Sequence, residues 1–226
     1  MNQAVGSMPA NFKRNWFLRQ RYLIFRRLAQ FSLLALFLTG PWYGYWILKG
    51  NLASSIFLDL IVFTDPYIYL QSISGGHQMG TVASIGAATI LVFYMVIGGR
   101  AYCSWVCPIN VVTDAAFWLR TRLGLNLSWQ PKKNIRYWLL IMTLVVSALT
   151  SSIAWEVVNP ITMLQRGLVF GMGIAWAIVL AVFLFDLIVS RRGWCSHLCP
   201  VGAFYGLVGK FSLIRVSAIK RQACTD

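Results

Sequence analysis

Acidic residues are scarce in this chain. Six Asp and Glu stand against 20 Lys and Arg in 226 residues, for a net charge of +14. Charged residues make up only 12% of the total, where a soluble domain carries about 25%. An ordinary solvated surface cannot be built from so few. Histidine is nearly missing. The two present, His77 and His197, lie in distant segments read as opposite membrane faces, which argues against a bis-histidine haem and leaves His77 as a single candidate cofactor ligand. Cysteine is limited to five residues, too few for a disulfide-stapled scaffold.

What fills the chain is apolar: 58% of residues are hydrophobic. Leu28–Leu48, Met79–Gly99 and Tyr137–Trp155 carry no charge, and Gly167–Val189 carries only Asp186. Each approaches the ~20 residues that cross a hydrocarbon core as a helix. The expectation is an all-α integral membrane protein with four transmembrane helices, in contact with membrane lipid. The basic residues divide unevenly. Six precede the first run, six fall between the second and third, and six follow the fourth, leaving Lys49 and Arg166 for the other side. By the positive-inside rule both termini and the 100–136 loop are cytoplasmic. That distribution explains the basic excess through topology and anionic lipid, so nucleic acid is not an expected partner. Residues 1–27 read as a retained cytoplasmic segment, without the small-residue cleavage site of a signal peptide. Tryptophan and tyrosine gather near the run ends, as at Trp42, Tyr43, Tyr45 and Trp46, in the manner of an aromatic belt.

The chain reads as a duplication. Cys103-Ser104-Trp105-Val106-Cys107-Pro108 and Cys195-Ser196-His197-Leu198-Cys199-Pro200 each follow an apolar run. Upstream, Asp65-Pro66 and Asn159-Pro160 each begin an [DN]-Pro-x3-Leu-Gln motif ending in Gln71 and Gln165. The expected organisation is a segment 1–27, a hairpin 28–111, an amphipathic loop 112–136, a second hairpin 137–203 and a segment 204–226. Two hairpins that start on the same side form parallel repeats about an axis along the membrane normal. Such an axis would bring the cysteine pairs together. Asp or Asn caps a helix and Pro suits its first turn, so both [DN]-Pro steps predict short helices. Ser54–Phe63 predicts an interfacial or re-entrant helix. Asn110–Arg122 and Val201–Phe211 predict interfacial amphipathic helices.

Cysteines four apart on a helix share a face. Two such pairs would make a four-thiolate site from Cys103, Cys107, Cys195 and Cys199, suited to zinc or an iron–sulfur cluster. A redox dithiol and inert packing are the alternatives. Cys224 stands apart. It could open a Cys-x2-Cys-x2-Cys-x3-Cys-Pro run, but the chain ends before a second cysteine, so that domain is expected to be absent or truncated. Asp186, an acid within an apolar run, is a candidate proton acceptor or arginine anchor. Glu156, at the outer end of the third run, could take a proton from a quinol or simply pair with Arg166.

Several stretches together carry a resemblance: Arg26-Arg27-Leu28-Ala29-Gln30-Phe31, Thr39-Gly40-Pro41-Trp42-Tyr43-Gly44, Leu70-Gln71-Ser72, both Cys-x3-Cys-Pro units, Trp155-Glu156 and Asn159-Pro160. The chain resembles the NapH-type membrane subunits of periplasmic nitrate reductase systems, ferredoxin-type quinol dehydrogenases. Methylamine-utilisation and nitrous-oxide-reductase accessory relatives share the paired cysteine units. The resemblance implies a bacterial inner-membrane protein that oxidises quinol (ubiquinol or menaquinol). It implies electron transfer with an iron–sulfur subunit of the NapG type, and with a membrane-anchored multihaem cytochrome, towards a periplasmic reductase. It also implies ferredoxin-type [4Fe-4S] clusters, whose motifs this chain lacks. Quinol would dock near Gln71, Gln165 or Glu156. The rival readings are a non-catalytic anchor or assembly scaffold for an iron–sulfur protein, and a cysteine-based copper reductase.

Overall fold

Asp65 and Asn159 open two helices in the same way. In a computed structural model of the chain, which describes residues 16–44, 47–57, 60–125, 132, 134–171, 173 and 175–214, helix α2 spans Pro66–Ser74 and α6 spans Pro160–Phe170. The Asp65 carboxylate accepts the Tyr67 N–H at 3.0 Å, and the Asn159 carbonyl accepts the Ile161 N–H at 3.1 Å. Each cap satisfies a backbone donor that a helix leaves orphaned, and each proline sits where no donor is needed. Cys224 and the two end segments 1–15 and 215–226 lie outside the described residues.

The remaining elements flank these caps. Helix α1 (Trp16–Tyr43) leads into strands β1 (Leu48–Gly50), β2 (Ser54–Phe57) and β3 (Ile61–Thr64). The strands form an antiparallel meander in which Lys49 faces Ile56 and Ile56 faces Val62. After α2 come α3 (Thr81–Ile97), a π-helical turn at Tyr102–Val106, and α4 (Ile109–Arg122). The second half runs α5 (Ile135–Thr150), a 3-10 turn at Ala154–Val157, α6, α7 (Ala175–Ile188), a π-helical turn at Trp194–Leu198, and α8 (Pro200–Val208). The short cap helix, apolar helix, π turn and following helix thus recur in one order. Helix α4 packs on α7, α5 on α2 and α8, and α3 on β3. The core between them includes Tyr67, Tyr102, Ile109, Val182, Val201 and Tyr205.

The expected all-α bundle of four spanning helices is corrected on two counts. First, the segment read as an interfacial helix, Ser54–Phe63, is a hairpin within a three-stranded sheet. Asn51 makes the turn from β1 into β2: its side-chain oxygen accepts the N–H groups of Ala53 and Ser54 at 3.0 and 2.8 Å, an Asx turn that reverses the chain ahead of this segment. The β-branched Ile56, Ile61, Val62 and Thr64 favour the strands around it. Second, among the described residues one helix is long and apolar enough to cross a membrane, Gln20–Tyr43, with a mean hydropathy of 1.4. The other apolar runs form helices of 17, 16 and 14 residues. At about 1.5 Å per residue these reach roughly 21–26 Å, short of the ~30 Å hydrocarbon core. Local chemistry ends them early. Gly98 at φ 119° stops α3, Ser151 turns left-handed after α5, and Gly171 at φ 91° separates α6 from α7. The expected fourth run was therefore two helices read as one.

The segments Asn110–Arg122 and Val201–Phe211 are α4 and α8. Their buried residues, among them Ile109, Thr113, Ala116 and Arg120 of α4 and Val201, Ala203 and Tyr205 of α8, set them into the body of the chain. Gly86 of α3 is needed for close approach to the sheet: a Cβ there would lie 2.3 Å from the carbonyl oxygen of Val62. Gly86→Ala is therefore expected to push the sheet off α3 and cost about 1–3 kcal/mol, read as a lower thermal midpoint of the detergent-solubilised protein.

Candidate functional site

The two Cys-x3-Cys units are built alike. In each, an i+5 hydrogen bond replaces the usual helical one: the Cys107 N–H reaches the Tyr102 carbonyl at 3.1 Å, and the Cys199 N–H reaches that of Trp194 at 2.9 Å. Such π turns widen a helix and recur at functional sites. The second cysteine then leaves the helix in extended backbone, with ψ 116° at Cys107 and 113° at Cys199. The two sulfurs of a pair are thus presented by a turn and its exit, not by one straight helical face. Proline follows each, as the residue before α4 at Pro108 and as the first residue of α8 at Pro200. The Cys199 sulfur also caps α8, accepting the Gly202 N–H at 3.4 Å.

Buried polar side chains hold both turns. Gln30 of α1, fully buried, donates its amide to the carbonyls of Ser104 and Cys107, each at 3.1 Å. The Asp186 carboxylate accepts the Trp194 N–H at 2.9 Å, fixing the start of the second turn. Arg120 of α4 is buried against the end of α7 and donates to the carbonyls of Asp186 at 3.3 Å, Leu187 at 2.9 Å and Leu125 at 3.2 Å. Asp114 of α4 binds Arg26 at 2.8 Å, Arg192 at 2.9 Å, and Arg27. The first half's α4 thereby grips both α1 and the end of α7.

This framework sets the cysteines of the two turns within each other's electrostatic influence. Cys103, Cys107 and Cys199 share the central cluster of side chains. Burial pushes the Cys103, Cys195 and Cys199 thiols up to about 12, and Cys107 well above its usual range. A second cause is each other's charge: Cys103 with Cys195, Cys107 with the other three, and Cys199 with Cys103. Thiolates here require a cation to compensate them, and a bound metal reverses the local logic. Among the described residues no three His, Cys, Asp or Glu side chains are close enough to hold one metal ion. A tetrahedral zinc site, with Zn–S near 2.3 Å, is therefore not preformed. In a four-iron cluster each thiolate takes a different iron, so its ligand sulfurs stand farther apart. Four thiols from two turns fit that donor set.

Aromatic contacts join the turns across the repeat. Tyr102, beside Cys103, stacks on Tyr205 of α8 with centroids 4.5 Å apart at 18°. Tyr94 meets both edge-on, at 5.8 and 5.1 Å. The Tyr205 hydroxyl donates to the Asp65 carboxylate at 3.0 Å. Burial raises the Asp65 carboxyl to about 6, against the opposing pull of the Tyr67 N–H and the Tyr205 hydroxyl.

The other residues singled out from sequence are spread out. Gln71 is buried, and its carbonyl oxygen accepts from the Ser147 hydroxyl at 3.2 Å and the Trp155 N–H at 3.1 Å. Gln165 accepts the Leu52 N–H at 3.0 Å and donates to the Gly50 carbonyl at 3.4 Å, tying α6 to the sheet. Glu156 lies 3.5 Å from Arg166 and accepts from the Asn159 amide at 3.4 Å. His77 bonds the Ser151 carbonyl at 2.8 Å. None of these four adjoins the cysteines through a hydrogen bond described here, whereas Asp186 does so through the second turn. Sequence reasoning did not single out Gln30, Arg120 or the Asp65–Tyr205 pair. A lone amide in the apolar run of α1 was the available signal for Gln30.

The sequence profile of a 4Fe-4S binding domain matches the chain twice, over residues 79–126 and 168–219. Each match contains one cysteine turn. The chain is 55% identical over 214 residues to the methylamine utilization ferredoxin-type protein MauN of Paracoccus denitrificans, covering 95% of this chain and 76% of that protein. It is 50% identical over 212 residues to the ferredoxin-type protein NapH of Escherichia coli, covering 94% and 74%. The chain belongs to the NapH/MauN family of ferredoxin-type proteins. More distantly, it is 27% identical over 245 residues to the putative electron transport protein YccM of Escherichia coli, covering 98% and 66%. No solved structure matches. The family match supports an iron–sulfur cluster as cofactor and accords with the resemblance read from the cysteine units.

Two outcomes follow for this NapH/MauN protein. Gln30→Leu removes the amide donor to the Ser104 and Cys107 carbonyls and is expected to cost about 1–3 kcal/mol, measured by denaturant unfolding in detergent. Asp65 binds its proton more tightly folded than unfolded, so its contribution is present at low pH. It is lost as pH rises from about 4 through about 6. Asp65→Asn should abolish this loss, and so be the more stable form at pH 8 by up to about 3 kcal/mol, read as a difference in thermal midpoints across pH.

Proposed function

We propose that this chain is a membrane-attached electron-transfer subunit that takes electrons from a quinol and holds a [4Fe-4S] cluster on Cys103, Cys107, Cys195 and Cys199. The observation that carries the reading is the pair of matching π turns, one from each half, whose four thiols, buried at Cys107 and partly buried at the others, fall within reach of each other's charge. When bound, the cluster supplies one-electron acceptance and release. The chain's own residues do the rest. Gln30 and Asp186 fix the turns against slippage. Arg120 and Asp114 lock the halves so that ligands from both keep one spacing. The apolar surroundings exclude water from the sulfurs, which protects such a centre and tunes its potential.

Attachment rests on α1, among the described residues the one helix with the length and apolarity to cross a membrane, whose apolar window is only 22% buried. Exposed apolar side chains on neighbouring helices, such as Ile85 and Phe93 of α3 and Trp138 and Met142 of α5, extend a surface suited to lipid. Onward transfer goes to an iron–sulfur protein partner, as the ferredoxin-type relatives suggest.

The test is anaerobic loading with iron and sulfide. The expected product carries about four iron atoms per chain, broad visible charge-transfer absorption, and a paramagnetic signal on one-electron reduction. Cys103→Ser and Cys195→Ser, one from each half, should each lose most of the iron and the signal while circular dichroism stays unchanged. A colourless, iron-free preparation whose serine variants match it in every readout would leave an anchor or scaffold in place of an electron carrier.

A further inference from the structure

The carboxylate that faces open space is Asp65. It lines a cavity of about 330 Å³ enclosed by α1, the sheet, α3, the first cysteine turn and α8, within the ~300–1,000 Å³ typical of ligand sites. Its walls are apolar and aromatic, including Phe37, Phe93, Tyr94, Tyr102 and Tyr205, and Asp65 is the one charged side chain among the described lining. Both hydrogen bonds described for this carboxylate fall on Oδ1, from the Tyr67 N–H and the Tyr205 hydroxyl.

The duplication supplies a control. Asn159 occupies the equivalent cap, and its neutral amide accepts the corresponding N–H equally well. Asp and Asn are near-equal caps. Capping therefore does not require the charge at Asp65, and burying it carries a desolvation cost. A buried ionisable group kept in a cavity marks a candidate site. Gln71 and Gln165, by contrast, spend their amide oxygens on backbone N–H groups.

We infer that this cavity binds a quinol head group, its ring against the tyrosine cluster and one hydroxyl donating to Asp65 Oδ2, while Tyr205 holds Oδ1. This rests on the quinol reading above and names the site for it. Tyr102 both lines the cavity and precedes Cys103, so a ring bound there lies beside the first cysteine turn. Phe93 at the rim is 54% exposed, which gives an apolar tail a way out along α3 and α1. Asp65 is a binding residue here, and Tyr205 a positioning residue.

The quinol mimic heptyl-hydroxyquinoline N-oxide, followed by its fluorescence loss on binding, tests this on the full chain in detergent. Asp65→Asn, which keeps the cap, should weaken binding by about ten-fold or more. Ile90→Trp, which fills the cavity, should abolish it, and Glu156→Gln should leave it unchanged. Circular dichroism and iron loading report that the variants are folded. Asp65→Asn and Ile90→Trp binding like the unaltered chain, or Glu156→Gln alone weakening it, would overturn the site while the quinol reading stands. An unaltered chain that loads iron yet binds no mimic would overturn the quinol reading and this site with it.

Discussion

Everything around the cysteines depends on satisfying backbone carbonyls that two π turns leave without helical partners. A buried carbonyl without a donor is costly, and a five-residue spacing opens the hydrogen-bond ladder where the sulfurs need room. Gln30 answers this for the first turn from α1, and Arg120 answers it at the end of α7 just before the second. Gln30 comes from outside the turn it serves, and Arg120 from outside the helix end that leads to the second. Each turn is therefore stable only when the whole chain is assembled, which couples site geometry to global folding.

The charges follow the same logic. Asp114 gathers Arg26, Arg27 and Arg192 from two distant segments. One carboxylate facing three guanidinium groups is not a simple ion pair. It fixes where α1 and the end of α7 meet α4. Arg26-Arg27, read from sequence as a topology signal, is in the structure a structural contact.

Much of the site was legible because it was written twice. The cysteine units, the [DN]-Pro caps and their order could be read from spacing alone, and the caps formed as helix chemistry requires. The sheet was not legible. Ser54–Phe63 carries an apolar pattern too short to distinguish strand from interfacial helix, and pairing with β1 across the Asn51 turn is a partner that the segment's own pattern does not announce. Helix lengths were misread for a related reason. Hydropathy averages over Gly171 and Ser151, which end helices through backbone geometry and not through polarity. Gln30 and Arg120 escaped notice because burial of a polar side chain depends on what packs over it, a tertiary fact with no local signature. Asp65 was seen as a cap, and its second role needed Tyr205, 140 residues away.

Two halves built to one plan would ordinarily offer two equivalent binding faces. The substitution of amide for carboxylic acid between positions 159 and 65 removes that equivalence at a single functional group. The scaffold keeps the same helix cap in both halves while its chemistry becomes one-sided, with an ionisable carboxyl beside the first cysteine turn and a neutral amide at the matching cap of the second half. An asymmetric reaction can thus run on a near-symmetric frame without a change in how either half folds.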